Sequence, residues 1–464
     1  MMTMSRVWLA ACCLLLPAGL AGAGELMVGA AAVRITPPVG APMAGYYFPR
    51  AADGVHDELF AKAIVLDDGE SRAALVVCDL VGVPAAIVEQ ARALAFQRTG
   101  IPADHIMISA THTHTGPNLS GGGFRSDVGG EGRRIADKYT ADLPGMIAES
   151  IERASAAAAP GRVSAAIGHE EALAFNRRYY LKDGSVGWNP GKSNPNVVRP
   201  AGPIDADVPV VALSDMAGQL RALYVSHAMH LDTTGGTQFS ADFAYTLSKL
   251  LAAARTPDLV TLFAIGAAGN VNHVDVSSPE KQTSLEEAAR IGTILAGDVL
   301  KTSKRLIPVG SSLRFGTEHV PLALAEVQPG DPAWAQKTAA SYGTKNAAPF
   351  MDLVKAQKIL EVEARQGRPL DAEVQVIALG EDLAWVALPG EVFTELGMAI
   401  KQASPFRFTI VVGLANASLG YIPNRKAYVE GAYEPISSRC APGSGERLVE
   451  AATGLLIRAH QASR

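Results

Sequence analysis

Two histidines one residue apart, His112 and His114, close the apolar run in the string HIMISATHTHTGP. Side chains at i and i+2 of a strand leave the same face, so an extended 106–114 segment aims both imidazoles one way. Paired neutral imidazoles are a metal-site arrangement. The run breaks at Thr115-Gly116-Pro117, which sets the pair at the carboxyl end of a strand, where open α/β sheets form their ligand crevices. A His-x-His pair is also an ordinary strand feature, so further ligands must decide.

Other polar motifs end apolar runs in the same manner: HAMHLDTTGGTQFSAD at 227–242, GAAGNVNH at 266–273 and ALPGE at 387–391. His230 closes LRALYVSHAMH, with His227 three residues earlier; an odd separation puts the two on opposite faces of a strand, so at most one shares the site. Glu391 follows Pro389-Gly390 and is either a carboxylate held at a strand end or the opening residue of the next helix, where it suits the dipole. The sequence has no HExxH helix and no GxSxG nucleophile elbow, and Gly187–Ser193 falls one residue short of a phosphate loop. Residues distant in sequence that all lie at strand ends can converge on one crevice.

The elements that must position them follow from hydrophobic spacing. VLDDGESRAALVVCDLVGV reads as strand, turn at Asp67-Asp68-Gly69, and buried strand; residues 85–97 have helical spacing; IMISATH is the next strand. The alternation recurs as a strand at 221–230 with a helix at 244–254, a strand at 259–265, a strand at 383–388 with a helix at 392–402, and a closing helix at 445–463. This predicts an α/β fold of mixed β-sheets flanked by helices, with the active site at strand ends of a single catalytic domain. Residues 118–131, 184–202 and 328–350 read as long loops.

Among the 464 residues the formal net charge is −5, spread without long runs of one sign, which argues against a nucleic-acid partner. Residues 1–23 have a basic Arg6, an apolar Val7–Leu16 stretch, Pro17 and small residues at Ala21-Gly22-Ala23, the three-part layout of a secretory signal peptide. That apolar stretch is short of the ~20 residues a bilayer span needs. The expectation is therefore a catalytic domain over 24–464, periplasmic or secreted, with no transmembrane segment after signal cleavage. Cys78 and Cys440 would remain, either paired or as buried thiols.

Taken together and in order, these motifs resemble the neutral/alkaline ceramidase family of zinc-dependent secreted amidases, from about Val33 to Ala432 and beyond. The resemblance implies zinc as cofactor, with His112 a ligand and His114 facing the substrate carbonyl. The second zinc histidine precedes a Ser-x-Asp segment, which points to His230 ahead of Ser240-Ala241-Asp242, with His227 the weaker alternative. Glu391 matches the family's PGE glutamate. Tyr421, Tyr428, Tyr433 and Glu434 reproduce a Tyr-x6-Tyr-x4-Tyr-Glu pattern, making Tyr421 a ligand and Tyr433 a hydrogen-bond donor to the reacting group. Asn176-Arg177 matches the family's Asn-Arg motif, which makes Arg177 the anion contact. The implied reaction is attack of zinc-bound hydroxide on an N-acyl, ceramide-like amide, as in sphingolipid metabolism. Two imidazoles, a carboxylate and a phenolate suit zinc, and a zinc-bound water has its pKa lowered to ≈ 7.

Two departures bear on the substrate. Where the family's ceramidases carry Gly-Asp-x-Ser, with its serine a proposed nucleophile, this sequence has Gly269-Asn270-Val271-Asn272, and it ends at Arg464, ahead of the immunoglobulin-like domain those enzymes append. The metal ligands are untouched by either change. An ester or another non-ceramide small molecule is thus an alternative substrate, and an extracellular binding protein with a vestigial site is the alternative of another class. Asn272, with Asn270, either orients water or a polar substrate group or satisfies backbone groups in a tight turn.

An amide side chain is not an activated nucleophile, so hydrolysis should proceed without a covalent acyl-enzyme. Rapid-quench kinetics and mass spectrometry on a hydrolysed substrate should find no acylated side chain; a trapped adduct, or an acylation burst equal to the enzyme concentration, would refute direct hydrolysis.

Overall fold

The computed structural model describes residues 25–119 and 129–462. The expected signal peptide at 1–23, most of the loop at 118–131 and Ser463 lie outside the described residues.

A nine-stranded mixed sheet dominates the first two thirds of the chain. From edge to edge its strands run Val260–Ile265, Leu220–His227, Asp207–Asp215, Ala159–His169, Met27–Arg34, Phe60–Asp67, Arg72–Cys78 and Ile106–Ala110, with Ile307–Pro308 added beside Ala159–His169. Only the outermost pair at each edge is parallel; the inner pairings are antiparallel. The Phe60–Asp67 and Arg72–Cys78 hairpin closes through Asp68, whose side chain accepts from Glu70 N and Ser71 N, so the predicted turn is built by an Asx contact.

Both faces of the sheet are covered, which is why its strands read as continuous apolar runs and not as alternating ones. Ala74, Val76 and Cys78 meet the helices Ala85–Thr99, Gly130–Ala156, Phe243–Ala254 and Leu285–Thr302 on one side. Ala73, Leu75 and Val77 meet Ile377, Leu383, Trp385 and Ile410 of a second sheet on the other. That second sheet, ordered Leu313–Leu322, Leu370–Leu379, Leu383–Ala387 and Phe408–Val412, is covered on its far face by the helices Thr394–Ala403 and Ser444–Gln461. The result is four layers, helix–sheet–sheet–helix. Arg92 ties three of them: its guanidinium donates in a two-pronged pair to Glu373 at 2.9 Å for each bond and to the Ile106 carbonyl at 2.7 Å.

The large sheet curls until strand Val260–Ile265 at one edge packs against Arg72–Cys78 and Ile106–Ala110 at the other. Segments leaving one edge strand and the neighbour of the other edge strand therefore meet. Thr113, beyond Ile106–Ala110, forms a parallel bridge with Leu231, beyond Leu220–His227, and His114 N donates to the Leu231 carbonyl at 2.9 Å.

The observed boundaries correct several expectations. The strand expected to reach His114 stops at Ala110, and the one expected to reach His230 stops at His227. Residues 184–202 contain the strands Val186–Trp188 and Val197–Pro200, which form a small sheet with Arg178–Leu181. Residues 328–350 contain the helix Asp331–Ala340. These pieces are too short for periodicity to separate them from loop. Cys78 and Cys440 are both buried and unpaired. Among the described residues, no helix is long and apolar enough to cross a membrane.

Candidate metal centre and cleft

His112 lies beyond its strand with φ 72°, the left-handed region that costs a non-glycine residue about 1–3 kcal/mol unless its surroundings enforce it. They do. His112 N donates to Leu80 O at 2.9 Å, and the ring Nδ1 lies 2.7 Å from Val81 O. Thr113 Oγ1 donates to Ser240 O at 2.7 Å, and Thr115 Oγ1 to the same carbonyl at 2.9 Å. Thr113 and Thr115 are thus the pins that hold the histidines of the THTHT string. The same-face argument from an extended strand does not describe this turn, yet the two rings still meet, with His114 Nε2 3.3 Å from His112 Nε2.

His230 is fixed likewise, its Nδ1 3.0 Å from Val271 O. A carbonyl can only accept, so each of His112 and His230 carries its ring proton on Nδ1 there and turns Nε2 toward the centre. Glu391 Oε2 lies 3.3 Å from His112 Nε2 and 3.2 Å from His230 Nε2. Two ligands on a tetrahedral zinc at about 2.0–2.1 Å stand about 3.3–3.4 Å apart. The two carboxylate-to-imidazole separations therefore match the edge length of a tetrahedral site. Glu391 and Tyr421 are direct partners in a two-residue parallel ladder, which sets the phenol beside the carboxylate. Ser240-Ala241-Asp242 acts at one remove: Asp242 Oδ2 accepts from Thr233 N and Thr234 N, bracing the loop that follows His230.

Burial disfavours a charged His112, but the Glu391 carboxylate and its hydrogen bond outweigh burial and raise the His112 pKa. Burial likewise pushes the Glu391 carboxyl up, yet the charge and hydrogen bond of His112, with the hydrogen bond of His230, hold it well below the usual range. Burial lowers His230, reinforced by Arg177 and His112. Burial and the His112 charge push His114 down to about 3, so it is a neutral imidazole. Burial raises Tyr421 well above 10, opposed by Arg177; only a nearby dication would make it a phenolate.

A cavity of about 350 Å³ opens onto His112, His114, Glu391, Tyr421 and Tyr433. Tyr433 is backed by Trp188, with ring centroids 4.5 Å apart. Arg177 and Asn272 do not line it. Arg177 is buried, with Nε on Glu434 Oε1 at 2.9 Å, Nη2 on Gly269 O at 2.8 Å and Nη1 3.2 Å from His230 Nε2. Its fork is already filled, so it supports the centre from behind and does not stand open to clamp a substrate anion. Asn272 Oδ1 accepts from Val274 N at 3.1 Å, a tight-turn contact, whereas Asn270 Oδ1 accepts from Thr394 N at 2.9 Å and ties its turn to the segment after Glu391. His227 turns away, its Nδ1 on Asp207 O at 3.1 Å in a separate small cavity with Asp205 and Lys401.

Residues 26–182 match the family described as neutral/alkaline non-lysosomal ceramidase, N-terminal, a span that includes His112, His114 and Arg177. Among solved structures, neutral ceramidase from Pseudomonas aeruginosa is similar with a TM-score of 0.72 and 19% identity, over 94% of this chain and 75% of that one. The chain shares the fold of that ceramidase. A structure described as "Ceramidase complexed with C2" gives the same TM-score and identity over 94% of this chain and 76% of that one. No curated protein matches the chain in sequence. The α/β architecture anticipated from spacing is thus the neutral ceramidase fold.

Sequence reasoning passed over Asp232, His273 and Gly45 around this centre. Asp232 Oδ1 lies 2.9 Å from His273 Nδ1, and the Asp232 carboxylate acts electrostatically on His114 and His230. Both residues sit inside motifs noted for other members, HAMHLD and GNVNH, and that proximity was the available signal. Gly45 has φ +95°, and a Cβ there would fall 2.5 Å from His114 Cβ. Gly69, at φ +89°, has no neighbour within 4 Å of such a Cβ. Gly69→Ala should therefore cost only the backbone term, about 1 kcal/mol, and Gly45→Ala a further overpacking cost of about 1–3 kcal/mol. Urea unfolding of the two variants checks the difference; equal losses would mean His114 is not closely confined.

Proposed function

We propose that this chain is a zinc-dependent, ceramidase-like hydrolase that cleaves an N-acyl amide bond. The observation that carries the reading is the convergence of His112 Nε2, His230 Nε2 and Glu391 Oε2 at tetrahedral edge lengths at the foot of a cleft. The cluster of buried His112 and His230 with half-buried His114, whose ligand atoms lie within 4.8 Å of one another, supports metal binding. His112, His230 and Glu391 would hold the ion, with Tyr421 the fourth ligand. A bound zinc ion supplies Lewis acidity at the carbonyl and lowers the pKa of a water.

The chain's own groups do the rest. His114 and Tyr433 line the cleft beside the donor set, where N–H and O–H donors stabilise developing negative charge on the carbonyl oxygen. His114 lines the cleft where it is placed to pass a proton to the leaving amine. Arg177 orients the set by holding Glu434 and Gly269 O while its charge favours the neutral form of His230. An ester remains the second reading of the bond, since the same groups serve either carbonyl. The vestigial-binder reading has no observation in its favour. We further read residues 1–23 as a secretory signal and 24–464 as one catalytic domain acting in the periplasm or outside the cell.

Protein purified without chelator should hold about one zinc per chain. Elemental analysis should show that His112→Ala, His230→Ala and Glu391→Ala lose the metal and the activity, whereas His227→Ala keeps both. Metal retained in His230→Ala and lost in His227→Ala would reverse that assignment. Because the raised pKa of His112 means capture of the ion releases a proton, zinc affinity should weaken as pH falls. Affinity independent of pH would exclude His112 as a ligand.

A further inference from the structure

The helix Phe350–Glu363 forms one wall of the cleft, and the residues it presents there, Val354, Gln357, Lys358 and Glu361, fall at i, i+3, i+4 and i+7, a single helical face. The charges on this wall are unequally matched. Glu361 accepts from Gln357 Nε2 at 2.6 Å and pairs with Arg439 at 3.4 Å, so the acidic member of the wall is already engaged. Lys355, on the same helix but outside the cleft, lies over the Trp334 ring at 5.1 Å. Lys358 is different. It is half-buried in the cleft wall, and among the described residues its ammonium makes no hydrogen bond, ion pair or ring contact.

We propose that Lys358 is a specificity residue and that the substrate is an N-acyl amide bearing a carboxylate, of the N-acyl amino acid class, whose carboxylate pairs with the Lys358 ammonium. This rests on the hydrolase reading above and names its substrate class. A partly desolvated cation with no partner is unfavourable, and an anionic ligand group removes the deficit. Burial, with Lys355 nearby, lowers the Lys358 pKa, and Asp331 opposes this without closing an ion pair. With Arg439 and Glu361 cancelling and Glu391 committed to the metal centre, Lys358 leaves the rest of the wall net positive. The cavity of about 350 Å³ is at the small end for ligand pockets, and its lining mixes tyrosines with Asn118, Gln357 and Ser418. Such a lining suits a short polar amide with one anionic end. Arg177, expected from the sequence to contact the anion, is saturated by Glu434 and Gly269 O, so the anion contact shifts to this helix.

The test compares N-octanoylglycine with N-octanoylethanolamine, which share acyl chain and amide and differ in the carboxylate, using the zinc-loaded full chain. The native protein should favour the glycine conjugate by about tenfold or more in kcat/KM, the scale of one charge-assisted contact. Lys358→Met should collapse that ratio toward one, mainly through KM, and Lys358→Arg should restore it. N-octanoyl phosphoethanolamine serves as a third probe; a preference for it over the glycine conjugate would overturn the amino acid assignment. A native ratio near one, or a ratio unchanged in Lys358→Met, overturns the role of Lys358. If none of the amides is cleaved, the hydrolase reading fails by itself. Calorimetric binding of the same probes then decides the anion site: tighter binding of the glycine conjugate that Lys358→Met abolishes supports it, and equal binding of glycine conjugate and ethanolamide overturns it.

Discussion

Two imidazole nitrogens, each about 3.3 Å from one carboxylate oxygen in a buried setting, present lone pairs that repel unless a cation or a proton lies among them. Most of the local architecture around the cleft serves to enforce this crowding. The carbonyls of Val81 and Val271 hold the Nδ1 atoms of His112 and His230, leaving neither ring free to turn its Nε2 away. The left-handed backbone at His112 persists because Leu80, Leu231 and Ser240 all accept hydrogen bonds from the segment 112–115. Behind the centre, Arg177 and Arg178 share the buried carboxylate of Glu434, so the residue that follows Tyr433 is locked in place. These are the supports a preorganised metal site needs.

The curl of the large sheet is the second requirement. His112 follows one edge strand and His230 follows the strand next to the opposite edge, and the contact between the two edges lets Thr113 and Leu231 bridge. Glu391 and Tyr421 come from the other sheet, each just past the end of a strand or its following turn, and their short ladder joins them before they meet the histidines. The site therefore lies where two sheets and two sheet edges come together. It depends on the tertiary fold far more than on any single motif.

This explains what the sequence revealed and what it withheld. Helices at 85–99 and 394–403 and the hairpin at Asp67-Asp68-Gly69 were legible because spacing and turn chemistry are local. The donor types were legible because His112, His230 and Glu391 each end an apolar run. The geometry of the pair at His112 and His114 was not, since a left-handed residue sustained by carbonyls from three other segments has no local signature. Arg177 illustrates the same limit: an arginine read as open to a ligand is consumed by Glu434, 257 residues away. Asn272 could be read either way until its carbonyl oxygen was seen to accept from Val274 N. Lys358 drew no notice because its meaning lies in the partners it lacks, and sequence does not display an absent partner.

The central claim is that these ligands hold zinc in a nitrogen and oxygen environment that leaves a position for water. X-ray absorption at the zinc edge of the purified full-length protein tests it most directly. The account predicts a first shell of five nitrogen and oxygen donors at about 2.0–2.2 Å, four from the protein and one from water, with outer-shell scattering from two imidazoles and no sulfur. A six-coordinate oxygen shell, a sulfur ligand, or a spectrum unchanged when His112 and His230 are replaced together would contradict it.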